Sequence, residues 1–181
     1  VCSSDLRKSL VEAIYHYREI NGATLDPMAA YLLLRGMKTL KLRVEQQNKN
    51  AAAIAEHLKS FDLVEEVFYP GLPSHPNHQI AKQQMKGYGG MLSFAVKGGV
   101  ATVRDLLPKL QFANRAANLG SVETVVGPSR TTSHVECTPE ERAAMGIPEG
   151  LIRYSAGIED IEDLKNDLSQ AFQSLHTYVK K

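Results

Sequence analysis

Leu151-Ile152-Arg153-Tyr154-Ser155-Ala156-Gly157-Ile158-Glu159-Asp160 is the stretch on which the fold turns. Its first five residues read as a short strand, apolar but for one arginine and the closing serine, and Gly157 follows. A helix then takes over. Ile161, Leu164, Leu168, Ala171, Phe172, Leu175 and Val179 form one apolar face, with Glu159, Asp160, Glu162 and Asp163 crowding the helix start. Lys180 and Lys181 follow its end, where positive charge suits the helix dipole.

Upstream of this unit the period keeps alternating. Val64 to Tyr69 is β-branched and aromatic and runs into Pro70-Gly71, which predicts a strand closed by a turn. Residues 76–86 suit a short helix, Met91 to Val96 a strand, and Val100 to Leu110 a helix opened by Gly98-Gly99. Phe112 to Leu119 and Thr124 to Val126 supply further short strands. The N-terminal third is helical throughout. Residues 7–20 repeat apolar positions at three- and four-residue steps and stop at Asn21-Gly22. Asp26-Pro27 starts the next helix, with Asp as N-cap and Pro at the first helical position. That pattern runs to about Lys59, with a bend expected at Gly36 and a stripe of Met37, Leu40, Val44, Ala51, Ile54 and Leu58. The layout is an α/β or α+β domain carried on a helical arm.

Composition narrows the function. The chain has 181 residues, Lys+Arg 21 against Asp+Glu 20, 43% hydrophobic residues, no Trp and two Cys. These values exclude a disordered, collagen-like or disulfide-stapled chain, and a net charge of +1 argues against a surface built for phosphate backbones or acidic membranes. No run of eighteen apolar residues predicts a membrane span. Cys2 and Cys137 form no pattern, which suits a reducing cytoplasmic setting. Val1-Cys2-Ser3-Ser4-Asp5-Leu6 reads back into DNA as the tail of a common sequencing adapter, so residues 1–6 are expected to be an assembly scar with the natural chain continuing upstream.

Several constellations offer themselves as chemistry. His75 and His78 form an isolated pair without the third and fourth ligands a metal needs. His134 and Cys137 could meet across one turn, but no third group activates them. Gly87-Tyr88-Gly89-Gly90 lacks the setting of a phosphate loop and is better read as a turn into the strand at Met91. Arg35, Lys38, Lys41 and Arg43 read as a solvated or intersubunit helix face. Arg153 is the informative one. A planar guanidinium inside an apolar strand needs a carboxylate, and spacing leaves two choices open: an internal Asp or Glu, or the carboxylate of a substrate.

Six blocks, in order, carry a resemblance: residues 26–40 beginning Asp26-Pro27, Tyr69-Pro70-Gly71 through Pro76, Gly87-Tyr88-Gly89-Gly90 through Phe94, Asn118-Leu119-Gly120, Thr132-Ser133-His134, and Ile152 through Asp160. Together they resemble the Cys/Met-metabolism family of pyridoxal-phosphate (PLP) enzymes, whose members include cystathionine γ-synthase, cystathionine γ- and β-lyases, methionine γ-lyase and O-acetylhomoserine sulfhydrylase. The resemblance implies the C-terminal part of a fold-type-I PLP-dependent transferase. Residues 7–35 would end the large cofactor-binding domain, and residues 36–181 would form a long linking helix and a small α/β domain with a mainly antiparallel sheet. It also implies that Arg153 binds the substrate's α-carboxylate, that Asn118 and Leu119 line the same pocket, and that Ser133 places a hydroxyl near it. The family more often has Ser at the position of Asn118, and Asn there is familiar from sulfhydrylase-like members. The family's catalytic Lys lies in a Ser-x-Thr-Lys stretch followed by Gly-His, and no such stretch occurs here. The expectation is therefore a segment of a homotetrameric, cytoplasmic PLP enzyme that acts on a sulfur amino acid but holds no catalytic or cofactor-binding residue of its own, and is inactive by itself. A non-catalytic dimerisation domain is the alternative from another class.

Overall fold

The computed structural model describes residues 7–179, with side chains through Leu175. The expectations on residues 1–6, on Lys180-Lys181 and on the side chain of Val179 lie outside the described residues. The chain divides into two compact units, one up to Leu40 and the other from Lys41 onward.

The first unit consists of helices α1 (Lys8–Asn21) and α2 (Pro27–Met37). Gly22 ends α1 in the left-handed conformation, φ 67°, as Asn21-Gly22 predicted. Asp26 caps α2 by accepting from the amides of Met28 and Ala29 at 2.9 and 3.1 Å, with Pro27 at the first helical position. Neither helix has a buried residue. Ile20 is 83% exposed and Tyr17 70%, so apolar side chains coat this unit.

All of α3 (Leu40–Leu58) but its first residue belongs to the second unit. The bend expected at Gly36 falls instead at Lys38-Thr39, between α2 and α3. There the Lys38 amide bonds the Arg35 carbonyl, three residues back, and the Thr39 hydroxyl donates to the Gly36 carbonyl, which tightens the turn. The expected stripe is buried only in part. Ala51, Ile54 and Leu58 are fully buried, whereas Met37, Leu40 and Val44 stand exposed.

Strands β1 (Val64–Phe68), β2 (Met91–Val96), β3 (Asn114–Arg115), β4 (Val125–Pro128) and β5 (Leu151–Ser155) form one sheet in the order β1-β2-β5-β4-β3. Every pairing is antiparallel except β3 with β4. The strand expected over residues 112–119 shrinks to two residues, because most of this segment serves as a loop whose carbonyls and amides bond side chains. Helices α4 (His78–Gln84), α5 (Gly99–Leu106), α6 (Pro139–Ala144) and α7 (Ile161–Val179) complete the unit. α6 was not foreseen, although Thr138-Pro139-Glu140-Glu141 carries its signal: Thr138 and Glu141 close a full capping box.

The alternation of β5 explains the layering. Ile152 and Tyr154 are buried in a core shared with Leu92, Phe94, Ile54, Leu164, Leu168 and Phe172. Phe172 stacks on Phe61 at 4.4 Å. Leu151, Arg153 and Ser155 point to the opposite face of the sheet, since successive residues of a strand alternate. Arg153 therefore stands off the core, on the face away from Ile152 and Tyr154.

His57 links α3 to α7. Its Nε2 lies 3.2 Å from the Lys165 carbonyl and 3.0 Å from the Ser169 hydroxyl, which assigns the proton to Nε2 in the neutral ring. Burial lowers its pKa below the ordinary 6.5, against the opposing pull of the Lys165 carbonyl. The unfolded chain therefore takes up a proton near pH 6.5 where the folded chain does not, so stability is lost as pH falls below that value. His57→Gln keeps a donor and removes the titration. Its urea midpoint is expected to change less between pH 7.5 and 5.5 than the parent's.

Candidate functional site

Arg153 is flanked in register by Ser93 on β2 and Gly127 on β4. These small neighbours leave the guanidinium room to lie across the sheet. Its Nη2 donates to the carbonyls of Ala117 and Asn118 at 2.9 and 2.8 Å. Among the described residues no carboxylate pairs with it. Its Nε is buried and has no hydrogen-bond partner among the described residues. A buried donor left empty costs free energy, of the order of 1–3 kcal/mol, and asks for a physical reason. Of the two choices left open by the sequence, the internal acid is not found among the described residues.

Arg153 lines a depression of about 340 Å³ with Ser133, His134, Ser93, Met91 and Phe68. Ser133, one of the expected site residues, is thus brought to the arginine, and its Oγ lies 2.9 Å from His134 Nδ1. Asn118 meets Arg153 through its backbone carbonyl. Leu119 is 56% exposed and follows directly on that loop, outside the lining of the depression. A larger hollow of about 630 Å³, lined by Leu63, Thr102, Arg104 and Pro108 among others, holds none of the expected site residues.

The other constellations are accounted for locally. His78 Nδ1 bonds the Pro70 carbonyl at 2.8 Å and its ring stacks on Tyr88, while His75 Nδ1 accepts from the Asn77 amide. No group of three His, Cys, Asp or Glu among the described residues could hold a metal. His134 turns its Nδ1 to Ser133, and it meets Cys137 through the backbone, the Cys137 amide donating to the His134 carbonyl. Gly87 to Gly90 form the turn into β2, tied down by the Asn48 side chain, which accepts from the Gly89 amide.

Sequence reasoning missed what braces the site. Three polar residues of α3 hold the loops at one end of the sheet: Gln47 donates to the Ser121 carbonyl, Asn48 accepts from Gly89, and Asn50 donates to the carbonyls of Gly157 and Glu159. Glu159 binds the amide and hydroxyl of Thr124. Beside the depression, buried Arg142 donates to Glu149 through Nε and Nη2 and to the Cys137 carbonyl through Nη1, closing the segment that carries Ser133. The signal for this brace was the polar run Gln46-Gln47-Asn48 with Asn50, set where the apolar stripe of the helix is interrupted.

Fold and site together define an α/β domain with one half-satisfied arginine, Arg153, standing off the core. The chain belongs to the Cys/Met metabolism PLP-dependent enzyme family, whose profile matches residues 1–173. It is 43% identical over 166 residues to cystathionine γ-synthase 1, chloroplastic, of Arabidopsis thaliana, covering 92% of this chain and 30% of that protein. It is 42% identical over 158 residues to L-methionine γ-lyase of Fusobacterium nucleatum subsp. polymorphum, covering 87% of this chain and 40% of the relative. The crystal structure of cystathionine γ-synthase from Xanthomonas oryzae pv. oryzae in complex with aminoacrylate and cysteine superposes with a TM-score of 0.85 at 38% identity, over 94% of this chain and 44% of that one. The chain thus spans less than half the length of each of these relatives.

Proposed function

We propose that this chain is the C-terminal part of a PLP-dependent transsulfuration enzyme acting on sulfur amino acids, and that it supplies the substrate-carboxylate site. The orphaned Nε of Arg153 carries this reading. That donor fits the α-carboxylate of an amino acid held on the cofactor. Pyridoxal phosphate, when bound, supplies the electron sink for elimination or replacement at the γ- or β-carbon. The residues of this chain bind and orient. Arg153, its Nη2 fixed by two carbonyls, meets the carboxylate through its remaining donors and turns the Cα–H of the substrate toward the reacting centre. Asn118 and Leu119 belong to the loop that holds the guanidinium, Asn118 through its carbonyl, and Ser133 lines the depression beside Arg153.

The Schiff-base lysine and the cofactor's own ligands come from elsewhere in the protein, so these 181 residues alone are inactive. In this reading residues 7–35 close the cofactor-binding domain and residues 36–181 are the linking helix and small domain. The exposed apolar side chains of α1 and α2 then belong to contacts within a cytoplasmic homotetramer.

Asn118 favours a second reading within the class, an O-acetylhomoserine sulfhydrylase-like or methionine γ-lyase-like member. The test is the full-length enzyme, assayed for γ-elimination of cystathionine or methionine against thiol addition to O-acetylhomoserine. Turnover of one of these with added PLP is expected. An absence of all three activities, in a protein that binds PLP, defeats the proposal.

A further inference from the structure

We infer that Ser155 is a positioning residue for the carboxylate site, acting through the loop that holds Arg153. This rests on the carboxylate reading of Arg153 given above.

The two carbonyls that fix Nη2, Ala117 and Asn118, lie on an exposed loop between β3 and β4 with no regular backbone pairing of its own. A guanidinium is aimed only as well as its partners are held. Immediately after Asn118 the loop turns through Gly120, whose φ is 75°. The Gly120 amide donates to Ser155 Oγ at 2.9 Å. Ser155 is 1% exposed and sits two residues beyond Arg153 on β5, hence on the same face of the sheet. The strand that carries the arginine thus also carries the hydroxyl that sets the arginine's carbonyl partners. Further along, Gln47 holds the Ser121 carbonyl at 2.8 Å and the Ile158 amide holds the Val122 carbonyl at 2.9 Å. Those clamps fix the far end of the loop. At the near end the Ala116 amide bonds the Val126 carbonyl at 3.3 Å, and between the two ends the Ser155 side chain holds the turn, two residues from the Asn118 carbonyl.

The chemistry asks for a hydroxyl. Serine accepts the amide, alanine does not, and cysteine fills the same space with a weak acceptor. Without the acceptor the turn at Gly120 relaxes, the carbonyl pair shifts, and Arg153 meets the carboxylate out of line. The loss falls on substrate binding and vanishes when Arg153 is gone.

The experiment is a double-mutant cycle in the full-length enzyme, with Ser155→Ala and Arg153→Met alone and together. It is read by kcat/KM for whichever of cystathionine, methionine and O-acetylhomoserine the enzyme turns over, and by the dissociation constant of L-alanine, which has the carboxylate and no leaving group, followed by cofactor absorbance. Ser155→Ala is expected to weaken both about tenfold, mainly through KM, and by less than twofold in the Arg153→Met background. Deuterium uptake of the segment 116–122 is expected to rise in the same variant. If Ser155→Ala fails to fold, Ser155→Cys replaces it, with the same pattern expected at smaller amplitude. Equal losses in both backgrounds, or no loss beside an intact Arg153, overturn the inference. Full activity of Arg153→Met itself overturns the carboxylate reading first, and the role of Ser155 with it.

Discussion

Arg153→Lys in the full-length enzyme is expected to lower kcat/KM about a hundredfold while leaving the protein folded and its cofactor spectrum unchanged. The reason is geometric. In the proposed role the guanidinium has to serve two sets of acceptors at once: Nη2 is spent on the carbonyls of Ala117 and Asn118, which leaves the other donors, the unpartnered Nε among them, for the carboxylate. A lysine ammonium is a compact point charge that cannot span both, and it loses the planar fork that matches a carboxylate. Losing a charge-assisted pair in a partly buried site costs of the order of 3 kcal/mol, and each 1.4 kcal/mol is a factor of ten. Stability should hardly move. Ala117 and Asn118 are exposed, so water satisfies the released carbonyls, and the unpartnered Nε leaves with the arginine. Steady-state kinetics with urea unfolding on the same preparation check both halves. A variant with parental kcat/KM would remove the carboxylate role.

How far the chain could be read without its structure depends on what each residue answers to. The alternation of Leu151 to Ser155, the period of α7 and the cap at Asp26 are local, and all three appear where the sequence puts them. The strand over residues 112–119 was overestimated because its backbone partners are side chains distant in sequence, Asp167 for the amides of Gln111 to Ala113 and Arg153 for the carbonyls of Ala117 and Asn118. The break at Lys38-Thr39 was misplaced to Gly36 because a threonine hydroxyl bending a helix leaves a weaker mark than a glycine. At the site, the arginine was legible and its partners were not: spacing allowed an internal acid, whereas the described partners are the carbonyls of Ala117 and Asn118. Asn118 touches the arginine through its backbone, a role that no side-chain pattern encodes.

The same substitution is expected to act in opposite directions at two glycines. Gly36 lies inside α2, and a Cβ added there meets nothing within 4 Å. Gly36→Ala should therefore stabilise the helix by about 0.5–1 kcal/mol through reduced backbone entropy. Gly157 has a negative φ, so conformation does not demand glycine; space does. A Cβ would fall on the Val122 carbonyl, the Thr124 amide and the Glu159 carboxylate together. Two of these are backbone atoms, and the third is held by Thr124, so none can yield alone. The Gly157 amide bonds Thr124 Oγ1 at 2.9 Å and its carbonyl accepts from Asn50 at 3.0 Å, which pins the residue from both ends. Relief must come from pushing the 122–124 segment away from β5, at the expense of the Glu159–Thr124 bonds. Overpacking of this kind costs about 3 kcal/mol, the upper part of its usual range, and broken buried hydrogen bonds add to it. For a chain of this size that lowers the unfolding midpoint by roughly 10 °C. Because β4 pairs with β5 through Gly127 and Arg153, the displaced segment also carries the carbonyl partners of the arginine with it. Gly157→Ala should thus lose carboxylate affinity at temperatures where it remains folded, whereas Gly36→Ala should not. Thermal unfolding of the two variants of this chain side by side, with L-alanine affinity measured on the same substitutions in the full-length enzyme below its midpoint, separates a crowded backbone from a merely flexible one; equal midpoints would show that the space around Gly157 can open.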